Sequence, residues 1–288
     1  MKRLLLIYSG LFLLSTFFTT GVYPMGGKVE SIPMKVYTNL NIQDGEFLRY
    51  GMYNGGDKVW DYYYVTRITN LREGGFYYRL YMDIIPPKGG KRLPADYTKW
   101  PIWALVDPIK AQTIEAEGNI ATNAMDDPIY SSYGLSGLFY FHYQLDREKG
   151  YAKYMSKSLS GDKIITTSYT VKVITAFPLM EVFSQDFISD RLVDPRSPGV
   201  MYWIIPNFMK EPLPMSFKVG KSETLTVKAG TFKVKRITMT MGDPFLAKLG
   251  EPILKSSSLL LEDSDRRLPI ITENQGYREI IEVISNVK

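Results

Sequence analysis

Apolar residues fall on alternate positions over long stretches of this chain. Trp60, Tyr62, Tyr64 and Ile68 share a parity, Phe76, Tyr78, Leu80, Met82 and Ile84 do likewise, and "NLREGG" lies between the two runs. A period of two is that of a half-buried strand, and Asn, Glu and Gly supply a turn, so these runs predict a hairpin. The pattern recurs in "GLFYFHYQLDREKGYAKYMSKSLSGDKIITTSYTVKVITAF". There Asp146 to Gly150 and Ser160 to Asp162 punctuate three strands rich in Tyr, Ile, Val and Thr, which predicts a meander. The stretches from Ile85 to Tyr97 and from Asn119 to Gly137 are rich in turn-forming residues and read as loops.

One segment breaks this period. In "FPLMEVFSQDFISDRLVDP", Leu179, Val182, Phe183, Phe187, Ile188 and Leu192 recur at spacings of three and four. Pro178 suits a first helical turn and Pro195 stops the run, so the spacing predicts a helix from about Leu179 to Leu192. A lone amphipathic helix among strands must bury its stripe against a sheet.

The stretch "TLTVKAGTFKVKRITMTM", residues 224 to 241, alternates on both sides of a turn at Lys228 to Thr231, where Gly230 is free to take a positive φ. Its beat slips, because Phe232 and Val234 are even whereas Ile237, Met239 and Met241 are odd. One extra residue near Lys235 and Arg236, a β-bulge, would move later side chains to the other face and coil the sheet. A strand with two partly buried faces produces the same pattern without an insertion. The expected fold is mainly β, a strongly curved antiparallel sheet or open β-barrel packed on one helix.

The N-terminus alters where this domain is expected to reside. Met1-Lys2-Arg3, an apolar run from Leu4 to Phe18 and the small residues Thr19 to Gly21 follow the order of a secretory signal peptide. The run is shorter than the roughly 20 residues of a spanning helix, and no later stretch approaches that length, so no transmembrane segment is expected after signal cleavage. Residues 1–21 are therefore read as the signal peptide, 22–44 as an N-terminal extension and 45–288 as one β-rich domain. The expected location is periplasmic or otherwise exported. The 288 residues contain no cysteine, so the exported domain relies on packing instead of disulfides and lacks the lipid-bearing cysteine of a bacterial lipoprotein. The net charge of +5 is spread among acidic residues, with no basic block of the kind that binds nucleic acid.

Scattered motifs along the chain are similar to those of one bacterial family. "GEFLRY" (residues 45 to 50) with Gly55 and Gly56, "VKAGTFKVKRI" (227 to 237) and "SSLLLEDSDRRLPIIT" (257 to 272) resemble the opening and closing elements of an uncharacterised bacterial envelope family, catalogued as domain of unknown function 3108. The chain departs from that family in having Leu259 to Leu261 where a Trp usually opens the last strand, and in a longer middle. The resemblance implies an exported, antiparallel β fold and no established activity, and it carries over no functional residues.

Candidate chemistry is sparse. His142 is the only histidine, which removes most multi-histidine metal and triad schemes. No phosphate-binding glycine loop, G-x-S-x-G elbow or H-E-x-x-H motif occurs. Paired carboxylates could still converge from distant strands, so the enzyme question stays open, although the reading leans away from catalysis. Glu262, Asp263 and Asp265 read as a polar turn before Arg266 and Arg267. Asp186, Asp190 and Asp194 read as the solvated face of the expected helix. No catalytic residue, metal site or cofactor is assigned.

The aromatic surplus is the informative feature, with Phe, Trp and Tyr making up 14% of the chain. In "WDYYYV" and "FYYRLYM" both parities carry aromatics, so the sheet needs cover on a second side: a loop, a partner or a ligand. The reading that follows is an exported non-enzymatic envelope protein binding a hydrophobic or amphipathic, lipid-like molecule in its concave face. Trp60, Tyr62, Tyr64, Tyr78 and Phe183 would line that face. The alternative is a periplasmic protein-interaction or structural module with a filled core, whose partner is another envelope protein. A transmembrane β-barrel fits less well, since Lys and Arg interrupt both parities and "VISNVK" lacks an aromatic end.

Overall fold

The computed structural model describes residues 32–70, 75–85, 93–119, 138–160, 162–181, 190–204, 212–241, 258–274 and 276–287. Fifteen strands in one sheet account for most of them. The first five are β1 (Glu46–Asn54), β2 (Asp57–Asn70), β3 (Phe76–Ile85), β4 (Ile102–Asp107) and β5 (Gln112–Asn119). Next come β6 (Leu138–Asp146), β7 (Tyr151–Ser160), β8 (Lys163–Lys172), β9 (Leu179–Glu181) and β10 (Met201–Ile204). The last five are β11 (Leu213–Val227), β12 (Gly230–Met241), β13 (Ser258–Glu262), β14 (Pro269–Asn274) and β15 (Tyr277–Asn286).

Neighbours pair in the order β4-β3-β2-β1-β15-β14-β13-β12-β11-β10-β9-β5, and a further β4–β5 pairing closes these twelve strands into a barrel. Pairing is antiparallel except around the short β9, which runs parallel to β10 and meets β5 at Gln112 and Leu179. Beyond that bridge the same edge of β5 pairs with β6, from Glu115 opposite Gln144 to Asn119 opposite Tyr140. The sheet therefore forks at β5, and β6, β7 and β8 leave the barrel as a three-stranded wing. Phe141 lies over Gly118 at this fork, in the space a side chain there would need.

The alternation read from the sequence sets which residues face inward. Leu48, Tyr50 and Met52 of β1 stand opposite Tyr64, Tyr62 and Trp60 of β2, and Tyr62 and Tyr64 stand opposite Ile84 and Met82 of β3. All are buried in one continuous core with Ile102, Ala104 and Val106 of β4. The expected 60–84 hairpin and the 138–176 meander both occur, as β2–β3 and β6–β7–β8.

Two expectations need correction. The described residues form a closed barrel, and among them helix is limited to a turn at Asp190–Leu192 and a 3₁₀ turn at Tyr97–Lys99, so they do not support packing on one helix. Leu179, at the predicted helix start, is instead in a strand, and Leu179–Glu181 are buried on both faces against β10. A short run buried on both sides looks the same in helix and strand, so the spacing misled. Val182, Phe183, Asp186, Phe187 and Ile188 of that segment lie outside the described residues.

The second correction concerns the parity slip. The register irregularity falls in β11, between Val219 and Ser222, opposite the Arg236 region, so the extra residue sits on the partner strand. β12 itself is buried on two sides: Val234 belongs to the main core, whereas Ile237 packs with Leu259 and Leu261 in a second cluster. Leu260, between those two leucines, returns to the main core, as alternation requires. Gly230 does adopt a positive φ, +143°, at the hairpin turn.

One end of the barrel is strapped by residues 32–45 and 190–200. Met34 N–H donates to the Val200 carbonyl at 3.0 Å, Tyr37 N–H to Leu192 at 2.6 Å and Asn41 N–H to Asp265 at 2.8 Å. Met34, Ile42, Leu192 and Val193 enter the core. Between them Arg191, only 1% exposed, reaches Glu46, 3% exposed, on the inward side of β1. Its Nη1 donates to Glu46 Oε1 at 2.7 Å, and its Nε to the Arg266 carbonyl at 3.0 Å. Arg267 answers by donating to the carbonyls of Arg191 (3.0 Å) and Val193 (2.8 Å), with its guanidinium 4.3 Å from the Tyr37 ring centre.

A buried charge stranded by loss of its partner costs about 3–5 kcal/mol, whereas replacing both members with apolar residues is close to neutral. Arg191→Met is expected to destabilise the domain by roughly that amount, and Arg191→Met with Glu46→Leu to recover most of it, as read from urea unfolding midpoints.

Candidate functional site

The structure gathers four of the five residues expected to line a ligand site on the inner face of β2 and β3. Trp60, Tyr62, Tyr64 and Tyr78 are 8%, 3%, 5% and 4% exposed, so they form the interior of the wall and not an open concavity. Phe183 lies outside the described residues. The rings pack on one another: Tyr62 stacks on Tyr64 at 6.4 Å between centroids, Tyr50 meets Tyr64 edge-on at 5.5 Å and Phe76 meets Tyr78 at 5.5 Å. Such pairs add about 0.5–1.5 kcal/mol each beyond burial.

Two of the inner phenols are partnered, whereas the buried Tyr143 and Tyr154 hydroxyls have no hydrogen-bond partner among the described residues. Tyr62 donates to Met52 Sδ at 3.8 Å and Tyr64 to Glu279 Oε1 at 3.3 Å. Burial drives the Tyr50 hydroxyl pKa well above its ordinary value, with the nearby Arg191 charge opposing. Across the fork, Tyr143 and Tyr154 are raised likewise, by burial first and then by the charge of Glu181. Burial thus holds these phenols neutral.

The acidic residues singled out in the sequence disperse to different partners. Asp263 accepts from Lys235 Nζ at 2.6 Å and Asp265 from the Tyr37 hydroxyl at 2.8 Å, which is the behaviour of a polar turn. Asp194 binds Arg196 at 3.0 Å in a turn after Leu192. His142 faces out from the wing, with Nε2 3.2 Å from Glu115 Oε1. A recess of about 150 Å³ opens between Tyr37, Arg196, Lys235, Glu262, Asp263 and Asp265 over Ile237 and Leu261; Lys235 pairs with Asp263 and Arg196 with Asp194, whereas Glu262 Oε2 is buried without a hydrogen-bond partner among the described residues.

The outer face of β1 to β3 mixes charge with aromatic rings. Arg49, Asp61, Arg67 and Arg79 occupy positions alternating with the inward aromatics, on the same side as Phe47, Tyr63 and Tyr81. No helix among the described residues is long and apolar enough to cross a membrane. Sequence reasoning missed the ion network here. A register shift opposite Arg49 and Tyr50 leaves Glu282 as the extra residue on β15 and aims it outward. Glu282 meets Lys58 Nζ at 2.7 Å, Arg49 Nη2 at 3.4 Å and the Tyr53 hydroxyl at 2.6 Å, while Asp61 holds Lys58 and Arg49 at 2.5 and 3.0 Å.

The wing is two-sided like the barrel wall. Its inner face buries Phe141, Tyr143, Tyr154 and Val171, while its outer face carries His142, Lys153, Met155 and Lys157. Lys157 lies 5.3 Å from the Tyr140 ring centre. Among the described residues β8 pairs only with β7, and the end of that hairpin is bare: Leu159, Ile164 and Ile165 are 39%, 63% and 47% exposed. The sequence held a signal for this in adjacent Ile164 and Ile165 beside a Ser-Gly-Asp turn, because neighbours on a strand point to opposite faces and only one can enter the core.

Burial alone would raise the Glu282 pKa, but hydrogen bonds from Lys58 and Tyr53 and the Lys58 and Lys228 charges prevail and hold it below the usual carboxylate range. Burial and the bond to Glu282 push Tyr53 up to about 12. A carboxylate with a lowered folded pKa stabilises fully above its unfolded value, about 4.3, and loses that contribution as pH falls through the folded value. Urea midpoints measured from pH 7 to pH 3 are expected to fall more steeply below about pH 4.5 in the natural protein than in Glu282→Gln, which starts lower at pH 7.

No family model matches the chain, and no curated protein does. Two solved structures are similar to it. One is a protein from Bacteroides fragilis described as exported and of YmcC-like fold, with 9% identity and a TM-score of 0.33 over 86% of this chain and 98% of that one. The other, from Parabacteroides distasonis and described as a lipoprotein, has 12% identity and the same TM-score and coverage. A superposition that loose establishes neither fold nor function for this chain, so both rest on its own residues.

Proposed function

We propose that the protein is an exported, non-enzymatic structural or interaction module of the cell envelope, acting through its outer surface. The observation that carries this reading is the state of the aromatic wall: Trp60, Tyr62, Tyr64 and Tyr78 pack on each other and on Met52 and Glu279, leaving 8% or less of each exposed. The buried Arg191–Glu46 pair close to Tyr50 supports it, because a lipid tail beside that pair would meet charge. Export follows from the Lys2-Arg3 and Leu4 to Phe18 pattern at the N-terminus. Likeness of residues 45–50, 227–237 and 257–272 to the envelope family named above agrees with that location.

The rival reading keeps the barrel as a carrier of a lipid-like molecule. Native mass spectrometry of protein purified from an envelope fraction separates the two. A bare polypeptide mass is expected, and a solvent-extractable lipid bound one to one would overturn the filled-barrel reading.

A further inference from the structure

The end of the β7–β8 hairpin combines three features that occur together nowhere else among the described residues. Leu159 stands directly opposite Ile164 on one face of the ribbon, and Ile165 stands opposite Ser158 on the other, so exposed aliphatic groups project from both sides. Lys157 lies one pleat back on the Leu159 face, and the exposed Lys163 flanks the turn, with Asp162 as the lone acid there. The wing from Leu138 to Lys172 also concentrates the chain's positive charge, with six Lys and Arg against three Asp and Glu, in a protein whose net charge is +5.

The geometry points to this hairpin end as a foot that docks on an anionic lipid surface. A protein partner that merely lay against the ribbon would cover one face and leave the other wet. A fluid apolar medium surrounds an inserted tip, satisfying Ile164 and Ile165 together although they point in opposite directions. Lysines set just behind such a tip extend their stems along the apolar region and place their ammonium groups among headgroup phosphates. The insertion is shallow, an interfacial contact and not a span. The strand is fitted for it, since β8 is held by a complete ladder to β7, from Lys163 opposite Ser160 to Lys172 opposite Tyr151, and needs no second neighbour to keep its shape. Tyr154 stacked on Tyr169 at 5.5 Å anchors the base of the ribbon to the buried side of the wing.

This inference rests on the reading that the chain acts through its outer surface, and it is tested by flotation of the exported chain with vesicles. Vesicles of phosphatidylglycerol and phosphatidylethanolamine are expected to carry the protein upward at low salt, those of phosphatidylcholine alone to carry much less, and added salt to weaken the effect. Ile164→Asn with Ile165→Asn is expected to lower binding about tenfold or more, and Lys157→Gln with Lys163→Gln to abolish the preference for anionic lipid. Leu159→Ser serves as a milder probe of the same end, and unchanged urea midpoints verify that each variant folds.

Absence of flotation with either vesicle, or flotation indifferent to all these variants, overturns the proposal. So does light scattering that finds a dimer dispersed to monomers by the Ile164 and Ile165 substitutions without vesicle binding, which would make the tip a self-interface. A bare native mass with no flotation defeats the foot and leaves the filled barrel standing. A lipid-laden native mass defeats the filled barrel whatever the vesicles do.

Discussion

Each strand edge carries a row of N–H and C=O groups that must find partners, and in this molecule the edge of β5 is claimed twice. Gln112 at its start pairs with Leu179 of β9, and residues from Glu115 onward pair with β6. Its opposite edge is taken by β4. A single strand thus closes the twelve-stranded ring and starts a three-stranded branch. The cost of leaving buried backbone groups unpaired, about 1–3 kcal/mol each, makes such a shared edge binding on both structures. What the barrel gains in closure the wing loses in protection, since among the described residues β8 pairs only with β7 and the tip is exposed.

Charge in the protein is handled in two ways that follow from where the strands put it. Inside, Arg191 and Glu46 satisfy each other and adjacent carbonyls, and their value is in holding the strap of residues 32–45 and 190–200 over one barrel end. Outside, Glu282 and Asp61 collect Arg49, Lys58 and Lys228 on the surface of β1, β2 and β15. The first arrangement places charge beside Tyr50, and the second places paired charge on the outer surface. On the wing, Lys153 and Lys157 stand over the rings of Tyr151 and Tyr140, Lys149 pairs with Asp146, and Ile164 and Ile165 are exposed at the hairpin end.

Much of the architecture could be read along the chain because a period of two survives in any sheet. The β2–β3 hairpin, the β6–β8 meander and the inward parity of Trp60, Tyr62, Tyr64 and Tyr78 all depend only on alternation and turn residues, which are local. The failures were those of burial on two sides. Leu179–Glu181 are apolar or buried at every position, and Val234 and Ile237 serve two different clusters, so the pattern could not separate a helix from a strand or a bulge from a two-faced strand.

By itself the sequence determined the strand-rich class, the hairpins, the concentration of aromatics in one wall and the pattern of an export signal, because each is written in nearest and next-nearest neighbours. Only the tertiary structure decided that the sheet closes, that Trp60, Tyr62, Tyr64 and Tyr78 are buried, that Arg191 is buried while Ile164 and Ile165 are bare, and that β11 holds the irregularity. Those outcomes depend on which distant segment covers a given face, and residues 145 positions apart, such as Glu46 and Arg191, leave no mark on each other's local pattern.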